Sequence, residues 1–539
     1  MTGDVKRLGA AELKRQLHDG GEIALLDARE EGVFHARHLL LASCVPLGRL
    51  ELLVDDLVPR RDTRVVWCDD GDGAALRAAQ RMSALGYTDV AVLEGGIAAW
   101  EAAGYRLYSG VHVPSKAFAE VVEHEAGTPW ISASDLKVLI DRGADIAIFD
   151  SRSYEEYHNN SIPTATSVPG AELVYRFTDL VPSPDTTVIV NCGGRTRSII
   201  GAQALRNAGF RNTIMSLKDG TMAWHLAGFE VVKGATRRPA AVSEAGRRTA
   251  LEAASRVAAR GDIRRIDKAT LAAWRSEAGR RTLYVLDVRT PEEYRAGHLA
   301  EARSAPGGQL VQETDAHIAT WNARIVLVDD NGVRATMTAS WLKQMGWNGV
   351  AVLADDGAGG DWTRGAHVPR VLGLDPAAPV AGIAPAALRE ALAAGRMAVV
   401  DLDTSRNYAR GHIPGAWFAI RSRLARDLAK LPKVEAIVLT SPDGALARLA
   451  AADMATGAGA AGGLPMLVLE GGTEAWAKAG LPIEEGASHM ASEPVDVVLS
   501  ARERGVGREE AMREYLAWEI DLVNQMAQDD DQRFRVVAG

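Results

Sequence analysis

At 539 residues the chain has room for three or four domains, and its 47% apolar and 24% charged side chains are those of a soluble globular protein. Lys and Arg number 61 against 70 Asp and Glu, a formal charge of −9 that excludes the basic footprint of a general nucleic-acid binder. Three cysteines, Cys44, Cys68 and Cys192, make no disulfide framework and no Cys-x-x-Cys pair, and twelve histidines form no HExxH cluster, so no metal is expected.

The opening stretch MTGDVKRLGAAELKRQLHDG reads as an amphipathic helix without the apolar core of a signal peptide. No later run approaches the roughly 18 apolar residues of a membrane span. With so little cysteine, the expectation is a cytoplasmic protein with no membrane partner. From there the chain repeats itself. Four stretches each open with a short apolar strand ending in aspartate, at Asp27, Asp150, Asp287 and Asp401. Each continues through an aromatic-containing helical turn into a turn segment, HLLLA, SIPTA, GHLAEA and GHIPGA. A second apolar strand then ends near Cys68, Cys192, Asp329 and Ser441, and a helix and third strand lead into LEGGIAAW, LKDGTMAW, LADDGAGGDW and LEGGTEAW. The Asp-to-Asp steps are 123, 137 and 114 residues; Trp100, Trp224, Trp362 and Trp476 step by 124, 138 and 114.

Strands alternating with helical patterns predict α/β units with mainly parallel sheets and helices on both faces. The repeated Asp, His298, His412 and Trp are read as structural, bonding loop backbone, sitting in turns and packing the following helix. The glycine pairs permit a tight strand-to-helix turn. The boundaries follow: repeats at 1–112, 113–235, 263–372 and 373–486, a linker helix at 236–262 that makes the chain a pair of pairs, and a helical tail at 487–539. In the tail Met512, Leu516, Ile520 and Val523 recur at helical spacing, predicting a helix packed on the last repeat or on a second copy of the chain, a route to a homo-oligomer.

One stretch carries chemistry. VIVNCGGRTRSIIGAQAL, residues 188–205, places Cys192 where a strand, a Gly193-Gly194 turn and two cations meet a helix. A short loop feeding a helix from the end of a parallel strand gathers backbone N–H groups into one anion-binding hollow. Arg195 and Arg197 add charge, with Thr196 and Ser198 completing the cradle, and a thiol at its base is expected to have a depressed pKa. An activated thiolate there suits sulfane-sulfur transfer through a persulfide, or thiolate attack on phosphorus or arsenic.

The order Asp-x-Arg, Glu-x-x, His-Ile-Pro-Gly-Ala, strand-Cys-loop, Leu-Glu-Gly-Gly-x-x-x-Trp resembles the rhodanese (thiosulfate sulfurtransferase) domain, over nearly the whole chain to about residue 486. CGGRTRSIIGAQAL is similar to the active loop of tandem-rhodanese bacterial sulfurtransferases. The resemblance implies four tandem rhodanese-like domains, each a mainly parallel five-stranded sheet flanked by helices. It also implies a Cys192 persulfide as the covalent intermediate with no other cofactor, and as partners a small-molecule sulfur donor with a thiol or cyanide acceptor. The loop counts six residues, Cys192 to Arg197, as in sulfurtransferases. Phosphatases of the fold have one residue more and end on Cys-x5-Arg, where Ser198 stands here, so phosphatase or arsenate reductase is the lesser reading.

The other copies lack nucleophile and cations together. Repeat one offers CDDGDGAAL, whose aspartates would repel a dianion and raise the Cys68 pKa. Repeat three has VDDNGVRAT, with Asp329 in the cysteine slot and Arg334 in the distal arginine's place. Repeat four has LTSPDGALA, with Ser441 lacking a base. All three are expected to be inactive, which leaves a non-catalytic assembly protein as the alternative to an enzyme. Within repeat two, Ser161 and Thr164 replace the turn histidine and glycine, and Arg176 is expected at the mouth of the site.

Overall fold

A computed structural model of the chain describes residues 5–354, 362–375, 380–456 and 464–537. Apolar runs such as TVIVN (Thr187–Asn191) are buried on both faces, as strands of a parallel sheet covered by helices must be. In repeat two the strands lie in the order Trp130–Ile131, Ile214–Leu217, Thr187–Asn191, Ile146–Asp150, Thr166–Ser167, every neighbour parallel. The other three repeats have the same order. The sheet of repeat one gains a sixth strand, Thr320–Trp321 of repeat three, antiparallel to Ile23–Ala24.

The repeated polar residues hold the frame. Asp27, Asp150 and Asp287 are buried and bind Arg29, Arg152 and Arg289 through paired guanidinium contacts. His38, His298 and His412 stack on Phe34, Tyr294 and Tyr408 and bond the carbonyls of those residues through Nδ1. Ser161 keeps the backbone bridge of that position, to Val232, without the ring. Trp100, Trp224 and Trp476 are buried, each donating Nε1–H to a carbonyl six residues on.

Trp362 departs from this pattern. It is 38% exposed and sits in a two-residue strand beside His298–Leu299. Ten residues separate Leu353 from its bridge residue Thr363, against fifteen between Leu93 and Tyr108 or Leu217 and Val232, so the Trp-to-Trp spacing did not mark an equivalent residue. The rest of LADDGAGGDW, residues 355–361, lies outside the described residues.

The linker is helical as expected: Glu244–Gly261 buries Ala250, Ala253, Ala254 and Val257 between helix Glu172–Leu180 of repeat two and helix Val333–Gln344 of repeat three. The pairing it creates is nested. Repeat two faces repeat three, where a Cβ on Gly308 would stand 3.0 Å from the Gly170 nitrogen. Repeat one faces repeat four, where Arg421 forks onto Glu51.

Within the chain, the tail helix takes a surface other than the last repeat. Helix Arg508–Met526 packs on helix Val113–Ala126, the connection between repeats one and two, and not on the last repeat. Its buried stripe is Met512, Leu516, Glu519, Leu522 and Met526, while Ile520 is 45% exposed. Among the described residues no helix is long and apolar enough to cross a membrane.

Candidate active site

Strand Thr187–Asn191 delivers Cys192 to its C-terminal end, and helix Thr196–Asn207 leaves from the same loop. The loop is pinned from behind. Thr221 N–H donates to the Cys192 carbonyl at 2.9 Å and Met222 N–H to that of Gly193 at 3.2 Å. Gly220, at φ +53°, makes this possible, since a Cβ there would lie 2.4 Å from the Cys192 carbonyl oxygen. The thiol, 2% exposed, points at Ser198, whose Oγ lies 3.4 Å away and bonds back to the Arg195 carbonyl at 2.8 Å. Among the described residues, the amides of Gly193, Gly194 and Arg195 donate to no protein acceptor. They remain available to an anion.

The two loop arginines part company. Arg197 is clamped by Glu156 at 2.6 and 2.9 Å, and by Gln309 of repeat three at 2.7 Å. Glu156 is itself the third residue of a capping box opened by Ser153. Burial works against the ionised carboxylate, but Arg197, then Arg152 and Arg502, outweigh it and hold Glu156 far below the usual carboxylate range. Arg195, expected to bind substrate, is directed elsewhere: its guanidinium is buried against Glu120, Glu123 and Asp219. Three carboxylates neutralise it, and it fastens the loop to helix Val113–Ala126. Arg176 is likewise not a mouth residue; it pairs with Glu172 and the Ala240 carbonyl, and lines a separate cavity between repeats two and three.

The thiol is not the ready thiolate its loop suggested. Burial pushes the Cys192 pKa up, Arg197 and the hydroxyl and amide of Ser198 pull it down, and Glu519 pushes it up again, for a net rise. Burial here thus favours the neutral thiol over the thiolate.

Of the expected loop residues, Cys192 to Arg197 line a cavity of about 350 Å³ and Ser198 does not; His35 of repeat one and three further distant segments complete it. The connection between repeats one and two brings Gly110, His112 and Lys116; repeat three brings Gln312; the tail brings Arg502, Tyr515, Trp518 and Glu519. The Arg502 guanidinium stands 2.8–2.9 Å from where a Cβ on Gly193 would be, and Glu519 accepts the Thr196 hydroxyl at 2.6 Å. Sequence reasoning missed Arg502 and Glu519. For Glu519 a signal existed, an acid on a helical stripe that buries Leu516 and Leu522 while its neighbour Ile520 faces out; for Arg502 none did.

The strand register corrects the comparison of the four loops. Asp27 pairs with Cys68, Asp150 with Asn191, Asp287 with Val328 and Asp401 with Thr440. Cys68 therefore matches Asn191, and the slot of Cys192 holds Asp69 in repeat one, Asp329 in repeat three and Ser441 in repeat four. Cys68 is fully buried in its strand with its pKa pushed well up, first by burial and then by Asp27. Each slot residue of the other copies caps its own loop. Asp69 accepts Gly71 and Ala75 N–H, Asp329 accepts Asn331, Gly332 and Ala335 N–H, and Ser441 accepts Ala447 N–H.

Comparison with known proteins agrees with this frame. The rhodanese-like domain family matches residues 9–103, 132–227, 268–357 and 384–479. The crystal structure of a thiosulfate sulfurtransferase from Pseudomonas aeruginosa is 46% identical, covers 99% of this chain and 100% of its own, and superposes with a TM-score of 0.94. An HTH-type transcriptional regulator of Mycobacterium tuberculosis is 32% identical over 113 residues, which are 20% of this chain and 48% of the regulator; the chain thus spans about half the length of that curated relative. Four matched segments, four sheets of one strand order and one intact cysteine loop together make this chain a member of the rhodanese family, with sulfurtransferase architecture from end to end.

Proposed function

We propose that the protein moves sulfane sulfur from thiosulfate, or a related donor, through a Cys192 persulfide to cyanide or a thiol. The observation that carries this reading is the loop itself, where a thiol stands beside amides that no group of the described residues engages, under a cation from the tail. The likeness to the Pseudomonas aeruginosa thiosulfate sulfurtransferase supports the choice of donor. The Cys192 thiolate attacks the outer sulfur of thiosulfate, the S–S bond breaks, sulfite departs with the electron pair, and Cys192–S–S⁻ remains. Loop amides, Arg197 and Arg502 would hold the sulfonate end and offset the charge on the persulfide. Arg502 fits that duty because its one ion pair among the described residues is a 3.4 Å contact to Glu156, which Arg197 already occupies. The thiol loses its proton as the donor arrives, since the closed site favours the neutral form.

No cofactor enters this scheme; the persulfide is the carrier. The three free cysteines suit a reducing compartment such as the cytoplasm. Ser198, at the position where phosphatases of the fold carry their loop arginine, bonds the thiol itself, which counts against phosphoryl chemistry. The test is intact mass after incubation with thiosulfate. One added sulfur on the parent chain and none on Cys192→Ala is expected; persulfide or turnover surviving in Cys192→Ala would overturn the assignment.

A further inference from the structure

The tail places a carboxylate in a cavity otherwise suited to anions. Glu519 is 0% exposed and lies on the apolar stripe of its helix, where Leu516 and Leu522 are its buried neighbours. Its Oε1 accepts the Thr196 hydroxyl at 2.6 Å. Among the described residues its Oε2 makes no hydrogen bond of ordinary length and angle, the Tyr515 hydroxyl being the group that interacts with the carboxylate beside it, and it stands 3.3 Å from where a Cβ on Gly194 would be. The charged and titratable groups facing it are Lys116 and Glu120 from helix Val113–Ala126, Arg195 and Cys192 from the loop, and Tyr515 from its own helix. A buried carboxylate oxygen left open beside a reactive loop is costly unless the site uses it. A donor dianion gains nothing from it. An acceptor that must lose a proton does.

Resting on the sulfur-transfer reading, we infer that Glu519 is a catalytic residue of the second half-reaction, the general base that takes the proton from an incoming thiol. The persulfide left by the first half-reaction takes back from solvent the proton lost by the thiol and becomes Cys192–S–SH. The Glu519 carboxylate then removes the S–H proton of R–SH, and the thiolate sulfur bonds to the outer sulfur of Cys192–S–SH. The S–S bond to Cys192 breaks, its electron pair stays on Sγ, and R–S–SH leaves. The proton on Glu519 then passes to the Cys192 thiolate, which restores the resting thiol. Atoms and electrons balance without an outside oxidant or reductant. Burial raises the Glu519 pKa above its ordinary 4.5 and so strengthens it as a base, while Lys116, Thr196, Arg195 and Tyr515 keep the ionised form accessible. Its place beside Gly194 puts it over the loop on which the persulfide would sit.

The experiment separates the half-reactions in the full-length protein. Glu519→Gln keeps the shape and the Thr196 bond and removes the base. Persulfide formation from thiosulfate should not fall, because the charge that pushes the Cys192 thiol up is removed. Sulfur transfer to an aliphatic thiol, protonated at the assay pH, should fall about a hundredfold, the scale of one general base. Transfer to an electron-poor aryl thiol, already ionised, should be unchanged. Equal losses with both thiols, or no loss with either, would overturn the inference. The parent protein supplies an arm that needs no variant: transfer to the aliphatic thiol should rise with pH through the titration of one acid, while transfer to the aryl thiolate stays level. Level profiles for both would also overturn it. A parent chain that never gains sulfur from thiosulfate would instead sink the underlying reading, and that outcome is seen before any acceptor is added.

Discussion

Repeats two and three face each other and carry the same clamp, yet only one of them is left open. Arg197 binds its own capping-box acid, Glu156, and reaches across to Gln309; Arg334 binds its own capping-box acid, Glu293, and reaches back to Glu172. Gln309 and Glu172 each lie 22 residues after the aspartate that ends the first central strand of their repeat, at Asp287 and Asp150. The two loops differ at the slot. In repeat three Asp329 folds onto three amides of its own loop and helix start; in repeat two, among the described residues, Cys192 leaves Gly193, Gly194 and Arg195 free to donate. An acid in the slot makes the loop its own ligand. A thiol leaves the cradle for a substrate. Repeat three is thus a working half of the site in another sense, since its Gln309 steadies the arginine beside the reactive sulfur.

The largest expected break in this comparison is Cys192→Ala, which should lower thiosulfate turnover by at least about a thousandfold, while Cys68→Ala, removing a thiol of the strand and not of the slot, should leave it within about twofold. Next is Arg502→Ala. Loss of a charged partner for the sulfonate should cost about 1.5–3 kcal/mol, read as a drop of roughly 10- to 150-fold in kcat/KM for thiosulfate. Asp329→Ala tests the closed loop: three amides lose their acceptor, so denaturant unfolding should show a loss of up to about 3 kcal/mol, with turnover per folded molecule preserved.

The smallest effect concerns repeat four, where Asp403 stands in place of the arginine that Asp27, Asp150 and Asp287 each bind. Burial lifts the Asp401 carboxyl to about 7, against the pull of the Asp403 amide. The fold therefore holds a proton that the unfolded chain, at about 3.8, releases, and this stabilisation is full below pH 4 and lost as pH rises through 7. Asp401→Asn should flatten the fall in stability between pH 5 and pH 8 by about 2 kcal/mol, seen as a Tm that varies less with pH.

Much of the frame was legible because it recurs. The strand aspartates recur in all four copies and the turn histidines in three, as local demands of one frame, and Cys192 stood out against them. What could not be read was whatever depends on distance in space. Cys68 looked like a slot residue because it ends its strand, and only the pairing of Asp27 with Cys68 shows that the slot is Asp69. Trp362 kept step with the other tryptophans by coincidence of a shortened segment. Arg195 sits in the loop sequence but is claimed by Glu120 and Glu123, 75 and 72 residues earlier. Tail residues Arg502 and Glu519 lie beyond any spacing rule, and the helix that carries Glu519 betrayed itself only by burying an acid and exposing Ile520.

That tail also sets a clock. Residues 498–519 leave the ribosome some three hundred residues after Cys192, roughly 15–60 s later at 5–20 residues per second. Until then a nascent chain can carry a folded second repeat and its thiol loop, but without the wall that holds Arg502 and Glu519. The cavity around Cys192 is complete only when the last long helix has docked.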